Sequence, residues 1–180
     1  MSSSRRRTLL SLTGLSLMLA GCSGMQLEDF SSQQPELRLE EYFVGETRAW
    51  GIFEDRFGNL KRSFTVDITG TLNNGMLKLD ERFLYNDGET DQRIWNITVK
   101  ENGNYEGQAA DVVGTAQGRV AGNALNWQYE LNLPVGQRIW KVHFNDWMFL
   151  QSDGVLINKA KVTKWGIHLG TVTLFFQKQP

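Results

Sequence analysis

Hydrophobic and polar residues alternate along most of the chain after residue 42, a period of two that is typical of β-strands with one buried face. The alternation is clearest from Phe64 to Leu72 and from Leu125 to Leu133. Glycine-containing turn sequences separate such stretches, for example the Asn-Gly pair at 74–75 and the Asp-Gly pairs at 87–88 and 153–154. The pattern predicts an all-β fold with about nine to eleven antiparallel strands joined by tight hairpins.

An open sheet of this length would leave apolar strand edges exposed, whereas closure removes the edges. We therefore predict a single antiparallel up-and-down barrel over residues 42–180. A turn that leads into an apolar segment is expected at residues 145–149, where Asn and Asp precede Trp, Met and Phe.

The first 21 residues have the layout of a signal peptide. Arginines occupy positions 5–7, and an apolar or small-residue stretch follows at 9–20, which is too short to span a bilayer. Residues 19–22 read Leu-Ala-Gly-Cys and resemble the lipobox of bacterial lipoproteins. The resemblance implies that Cys22, the only cysteine, is acylated after cleavage before it, and Ser23 implies sorting to the outer membrane.

Residues 22–41 are polar and contain a Ser-Ser-Gln-Gln-Pro run, so they predict a flexible tether between the lipidated cysteine and the barrel. The expected location is the outer membrane, with the barrel facing the periplasm and the acyl chains holding the protein to the bilayer.

The charge balance argues against nucleic acid as a partner. The chain carries 19 basic and 20 acidic residues, and removal of residues 1–21 would leave 16 basic and 20 acidic groups. This count also predicts no basic belt for anionic lipid surfaces.

The tetrapeptide Gln-Arg-Ile-Trp occurs at 92–95 and again at 137–140. Its arginines, like Arg62, begin apolar strand faces, and all three host strands run in one direction if three strands fill 104–133. We therefore expect the three arginines to gather at one mouth of the barrel, above an aromatic lumen. The predicted ligand-binding residues are Arg62, Arg93, Trp95, Trp127, Tyr129, Arg138 and Trp140.

Two alternatives remain open at this point. Each arginine could instead cover a neighbouring tryptophan ring and point to water. The glycines and alanines of residues 107–122 could either widen the lumen or mark barrel corners, and corners are the commoner case.

Residues 42–58 followed by 64–68 (Phe-Thr-Val-Asp-Ile) resemble a family of predicted proteobacterial lipoproteins of unknown function. The layout is also similar to lipocalins and other calycins, a resemblance that implies an up-and-down barrel holding an apolar ligand.

The chain offers little catalytic chemistry. No Ser-His-Asp motif, metal-ligand spacing or glycine-rich phosphate loop is present, and adjacent acids such as Asp80 and Glu81 must face opposite sides of a strand. We therefore expect no metal, cofactor or enzymatic activity. The leading hypothesis is carriage of a hydrophobic, acidic lipid such as a fatty acid. The alternatives are an assembly factor that binds another envelope protein through its outer face, and a lipid-modifying enzyme.

Overall fold

The computed structural model describes residues 24–180. The predicted signal peptide and Cys22 lie outside these residues. Ten strands make up most of the chain, and their bounds are β1 Gly45–Asp55, β2 Leu60–Asn73, β3 Met76–Tyr85, β4 Thr90–Val99, β5 Asn104–Gln108, β6 Val112–Ala121, β7 Ala124–Val135, β8 Arg138–Leu150, β9 Leu156–Lys164 and β10 Ile167–Lys178. A short helix, α1 (Leu39–Tyr42), and two 3-10 turns, Leu27–Phe30 and Glu101–Gly103, complete the described elements.

Each strand pairs antiparallel with the next, and β1 also pairs with β10, so the sheet closes into an up-and-down barrel. This confirms the predicted all-β barrel, and ten strands fall within the predicted range. The segment 104–133 holds β5, β6 and β7, so β2, β4 and β8 run in one direction as predicted. The segment 145–149 is part of β8, and the turn expected there was wrong.

The segment before β1 closes one end of the barrel, which we call the closed end. Leu37 and Leu39 are buried, and the Leu37 amide donates to the carbonyl of Gly122 at 2.8 Å. Gly70 allows this close packing, because a Cβ there would lie 1.8 Å from the carbonyl oxygen of Phe43. The part of the predicted tether from residue 24 onward therefore folds onto the barrel, since its scattered apolar side chains find partners there.

Two glycines in the segment 107–122 leave room for the indole of Trp127. A Cβ on Gly107 would lie 2.5 Å from the indole of Trp127, and a Cβ on Gly118 would lie 2.1 Å from it. These glycines therefore face inward and let the indole lie flat against β5 and β6. Gly114 and Gly122 instead have positive φ angles of 75° and 53° and suit the corner interpretation.

Gly118→Ala is expected to destabilise the barrel by about 1–3 kcal/mol, because the added methyl group overpacks against Trp127. Urea denaturation measures the change. Gln117→Ala, at the exposed neighbouring position, is the control and should change stability by less than about 0.5 kcal/mol. Equal stability of Gly118→Ala and the wild type would contradict this packing.

Candidate functional site

The barrel encloses a cavity of about 350 Å³. Leu39 and Phe43 line it at the closed end, and Arg62 and Tyr85 line it at the opposite end, which we call the mouth. The volume lies within the range of about 300–1,000 Å³ that ligand pockets occupy. Most of the wall is apolar and aromatic, because inward positions alternate with outward ones along every strand.

Aromatic side chains form one continuous part of this wall. The rings of Trp95 and Trp127 meet edge to face at 5.6 Å, and Trp95 meets Tyr129 in the same way at 5.4 Å. Tyr129 stacks on Phe144 at 5.0 Å. These contacts fix the ring positions and favour a preformed surface for an apolar ligand.

Polar side chains occur at two levels of the cavity. The first level is at the mouth, where the Arg62 guanidinium donates to Asp87 at 3.0 and 3.1 Å, pairs with Glu89, and lies 3.5 Å from the Tyr85 ring. Arg62 is therefore neutralised by carboxylates from the β3–β4 turn.

The second level is deeper, and we call it the inner polar cluster. Its members are Glu81, Arg93, Asp111, Tyr129, Asp146 and Asn158, all of which except Asp111 line the cavity. Arg93 donates through Nε and Nη2 to Oδ2 of Asp111 at 3.0 and 2.7 Å, and the register places it opposite Glu81 across β3 and β4.

Burial controls the protonation of this cluster. It raises the pKa of Glu81 to about 7, although the Arg93 guanidinium acts in the opposite direction. Burial also tends to lower the pKa of Arg93, but Glu81, Tyr129 and Asp111 outweigh it and raise that pKa above its ordinary value. Arg93 is therefore cationic at any physiological pH.

Asp146 and Asn158 form the most deeply buried polar pair, with exposed fractions of 5% and 2%. Asn158 donates Nδ2 to Oδ2 of Asp146 at 3.4 Å. Burial raises the pKa of Asp146 to about 7, with the Asn158 hydrogen bond opposing it. Oδ1 of Asp146, Oδ1 of Asn158 and Oδ1 of Asp111 have no hydrogen-bond partner within residues 24–180.

This chemistry predicts a pH-dependent stability. Below pH 3.8, the ordinary pKa of Asp146, its carboxyl is protonated in both the folded and the unfolded chain. Between that pH and about 7 only the unfolded chain loses the proton, so the free energy of unfolding falls with rising pH. Above about 7 the loss is complete, and it amounts to on the order of 4 kcal/mol for this group.

Asp146→Asn is expected to remove this component and to be more stable than the wild type at pH 8, while the two differ little at low pH. Urea denaturation across the pH range checks this. The Glu81 component has the same sign and stays in both proteins. Parallel pH profiles for the two proteins would contradict the assignment.

The structure brings together most of the residues that the sequence predicts for ligand binding. Arg62, Arg93, Trp95, Trp127 and Tyr129 line the cavity. Arg138 does not, because it begins β8 at a hairpin tip and is exposed. Trp140 is half-buried and packs against the core, with Nζ of Lys164 at 4.1 Å from its ring, but it is also not a cavity residue.

Sequence reasoning missed the carboxyls of Asp146, Glu81 and Asp111. The expected turn at 145–149 hid Asp146, although the alternation from Trp140 through Phe144 continues to it and would have placed it inside. Within residues 24–180, no cluster of His, Cys, Asp and Glu side chains is arranged to hold a metal, and no helix has the length and apolar character to cross a bilayer.

Fold and cavity together define a closed ten-stranded antiparallel barrel with a mostly apolar internal cavity. The chain belongs to a family of proteins of unknown function, DUF3833, whose model matches residues 16–178. This confirms the expected membership of a family without an assigned function, while the lipoprotein character and the proteobacterial origin stay predictions. No curated protein matches the chain.

Several solved structures have a similar fold, among them the following two. A protein of unknown function from the DUF3598 family of Nostoc punctiforme is 14% identical to this chain, with a TM-score of 0.56. The match covers 82% of this chain and 51% of the Nostoc protein, so this chain spans about half of that protein's length. An S-type phycobiliprotein lyase from Guillardia theta is 10% identical with a TM-score of 0.56, and the match covers 87% of this chain and all of the lyase. At these identities the likeness concerns the fold alone.

Proposed function

We propose that the barrel binds and carries a hydrophobic ligand of the lipid class, without catalysing a reaction on it. The observation that carries the proposal is the cavity of about 350 Å³, with its aromatic wall and a few convergent polar groups. Removal of an apolar chain from water into such a wall contributes roughly 0.8 kcal/mol per methylene group.

The polar groups indicate which headgroup the ligand carries. Arg62 is paired with Asp87 and Glu89, and Arg93 is paired with Asp111, so an acidic headgroup would have to displace a carboxylate. This argues against the acidic lipid predicted from the sequence. In the inner polar cluster, Oδ1 of Asn158 and, when its carboxyl is ionised, Oδ1 of Asp146 line the cavity as acceptors without a hydrogen-bond partner within residues 24–180. We infer that the ligand donates a hydrogen bond, as a hydroxyl or an amide does.

A competition assay tests both parts of this proposal, the binding of an apolar ligand and the nature of its headgroup. The full chain with Cys22→Ala is loaded with N-phenylnaphthylamine, a neutral dye that fluoresces in apolar surroundings, and is titrated with tetradecanol or tetradecanoate. We expect both to displace the dye and the alcohol to bind more tightly by about tenfold, the equivalent of one hydrogen bond (about 1.4 kcal/mol). Tighter binding of tetradecanoate would instead support the acidic headgroup that the sequence predicts. A dye that neither compound displaces would overturn the ligand function.

The membrane anchor is a separate part of the proposal and is supported by the sequence of residues 1–23. We propose that acylated Cys22 holds the protein at the outer membrane with the barrel in the periplasm. Growth of the host with radiolabelled palmitate should label the wild-type chain and leave the Cys22→Ala chain unlabelled. An unlabelled wild-type chain would refute the anchor without affecting the ligand proposal.

A further inference from the structure

Three hairpins at the mouth carry large apolar side chains that point into solvent. They join β1 to β2, β7 to β8 and β9 to β10, and they lie side by side because β1 pairs with β10 and β8 pairs with β9. We call their exposed apolar residues the apolar rim: Phe57, Leu60, Val135, Ile139, Trp165 and Ile167. The exposed fractions reach 88% for Trp165, 74% for Phe57 and 72% for Ile139.

Such exposure is costly unless the surface meets a partner. Trp165 illustrates this best, since it occupies a turn with a positive φ of 53°, a conformation that bulky side chains rarely adopt. A tryptophan at a hairpin tip beside a lysine is typical of residues at a membrane–water interface. Nζ of Lys164 lies 4.8 Å from the Trp165 ring.

The charges of the same three hairpins complement an anionic surface. Residues 54–61, 134–139 and 164–167 contain four basic groups, Arg56, Lys61, Arg138 and Lys164, against the two acids Glu54 and Asp55. Lys61 lies 3.1 Å from Asp55. The acidic residues of the mouth are concentrated on the β3–β4 hairpin, in Asp87, Glu89 and Asp91. The fold thus separates basic from acidic groups whose charges nearly cancel over the whole chain. The count of basic and acidic residues in the sequence did not predict this basic side.

We propose that the apolar rim docks the mouth of the barrel onto an anionic lipid bilayer that faces the mouth, on the side opposite the closed end where the segment before β1 packs. Trp165, Phe57 and Ile139 enter the interface, and the four basic groups lie at the level of the headgroups. The rim borders the mouth of the apolar cavity, so a lipid can pass between bilayer and cavity without crossing water. This goes beyond the proposed ligand function, because docking would occur whether or not the cavity takes that lipid.

A fluorescent label on the rim tests the docking. The full chain with Cys22→Ala has no other cysteine, so Ile139→Cys can be labelled uniquely with the environment-sensitive dye NBD. We expect a blue shift and a several-fold gain in fluorescence with vesicles of phosphatidylcholine and phosphatidylglycerol in equal parts. The matched control is Asp153→Cys in the β8–β9 turn at the closed end. This variant has the same N-terminal segment, and its NBD fluorescence should not change when vesicles are added.

Vesicle co-sedimentation measures the contribution of the rim. Trp165→Ser with Ile139→Ser is expected to weaken binding at least about tenfold. Leu72→Ser with Met76→Ser, two exposed apolar positions near the β2–β3 turn at the closed end, is the matched control and should bind like the parent. Lys164→Glu with Arg138→Glu should abolish the preference for phosphatidylglycerol, and added salt should weaken the parent's binding to anionic vesicles.

Three outcomes would overturn the proposal. The first is NBD fluorescence at Ile139→Cys that vesicles leave unchanged, which would assign the rim to a protein partner. The second is a shift that depends on protein concentration and not on vesicles, which would assign the rim to a second copy of the chain. The third is equal loss of binding in the rim variant and the closed-end control.

Discussion

Arg93→Met is expected to lower the free energy of unfolding by about 3 kcal/mol at pH 7. The variant leaves the Asp111 carboxylate without the guanidinium that donates to it at 3.0 and 2.7 Å, and it leaves Glu81 without the opposite charge across β3 and β4. The expected loss lies at the lower end of the range for buried pairs, because the Asp111 side chain is 35% exposed. Urea denaturation measures it.

Arg82→Met is the matched control for this prediction. Arg82 precedes Phe83 on β3, its side chain is 74% exposed, and it lies 3.8 Å from Asp80, so its loss should cost less than about 1 kcal/mol. The triple variant Arg93→Met, Asp111→Asn, Glu81→Gln should recover much of the stability, because none of the three substituted positions then carries an unpaired charge. If Arg93→Met unfolds like the wild type, the inner polar cluster is not a coupled ionic group.

Ala160→Trp is expected to weaken binding of N-phenylnaphthylamine at least about tenfold. Ala160 is 2% exposed, lines the cavity on β9 and pairs with Asp146 on β8 and Val172 on β10. An indole at this position points into the lumen and takes up a large part of its volume. Dye titration followed by fluorescence measures the affinity.

Lys159→Trp adds the same ring to the outward face of the neighbouring position, where Lys159 is exposed, and should bind the dye like the wild type. Circular dichroism checks that both variants keep the β-sheet, and Ala160→Leu provides a smaller insertion with an intermediate effect. Equal affinities of Ala160→Trp and Lys159→Trp would show that the dye binds outside the barrel.

Local sequence patterns were sufficient to predict the architecture. The period of two places Arg93, Trp95, Trp127 and Tyr129 on inward faces, and glycine turns such as 74–75 and 153–154 separate the strands as predicted. The β9–β10 turn gave no comparable signal, because Trp165 occupies the position of positive φ that asparagine or glycine usually takes. Alternation along a strand is a local property, and this is why it can be read from one sequence.

The partners of the site residues depend on contacts between distant segments and could not be predicted in this way. Asp111 reaches Arg93 from the loop before β6, and Asp87 reaches Arg62 from the β3–β4 turn. These ion pairs neutralise Arg62 and Arg93, two of the three arginines that were predicted to form a cationic mouth. The packing of the N-terminal segment also depends on contacts between distant segments. The ring of Phe30 lies 6.1 Å from the ring of Trp147 and 5.3 Å from the ring of Phe149, measured between centroids.

We propose that the lumen is a site for an apolar chain with a hydrogen-bonding end. The most direct measurement is a crystal structure of the chain grown with a long-chain alcohol that carries a terminal bromine atom, with data collected at the bromine absorption edge. We expect an anomalous peak inside the barrel, with the hydroxyl group within hydrogen-bonding distance of Asp146 or Asn158. A lumen filled by its own side chains, with bromine only on the outer surface, would contradict it.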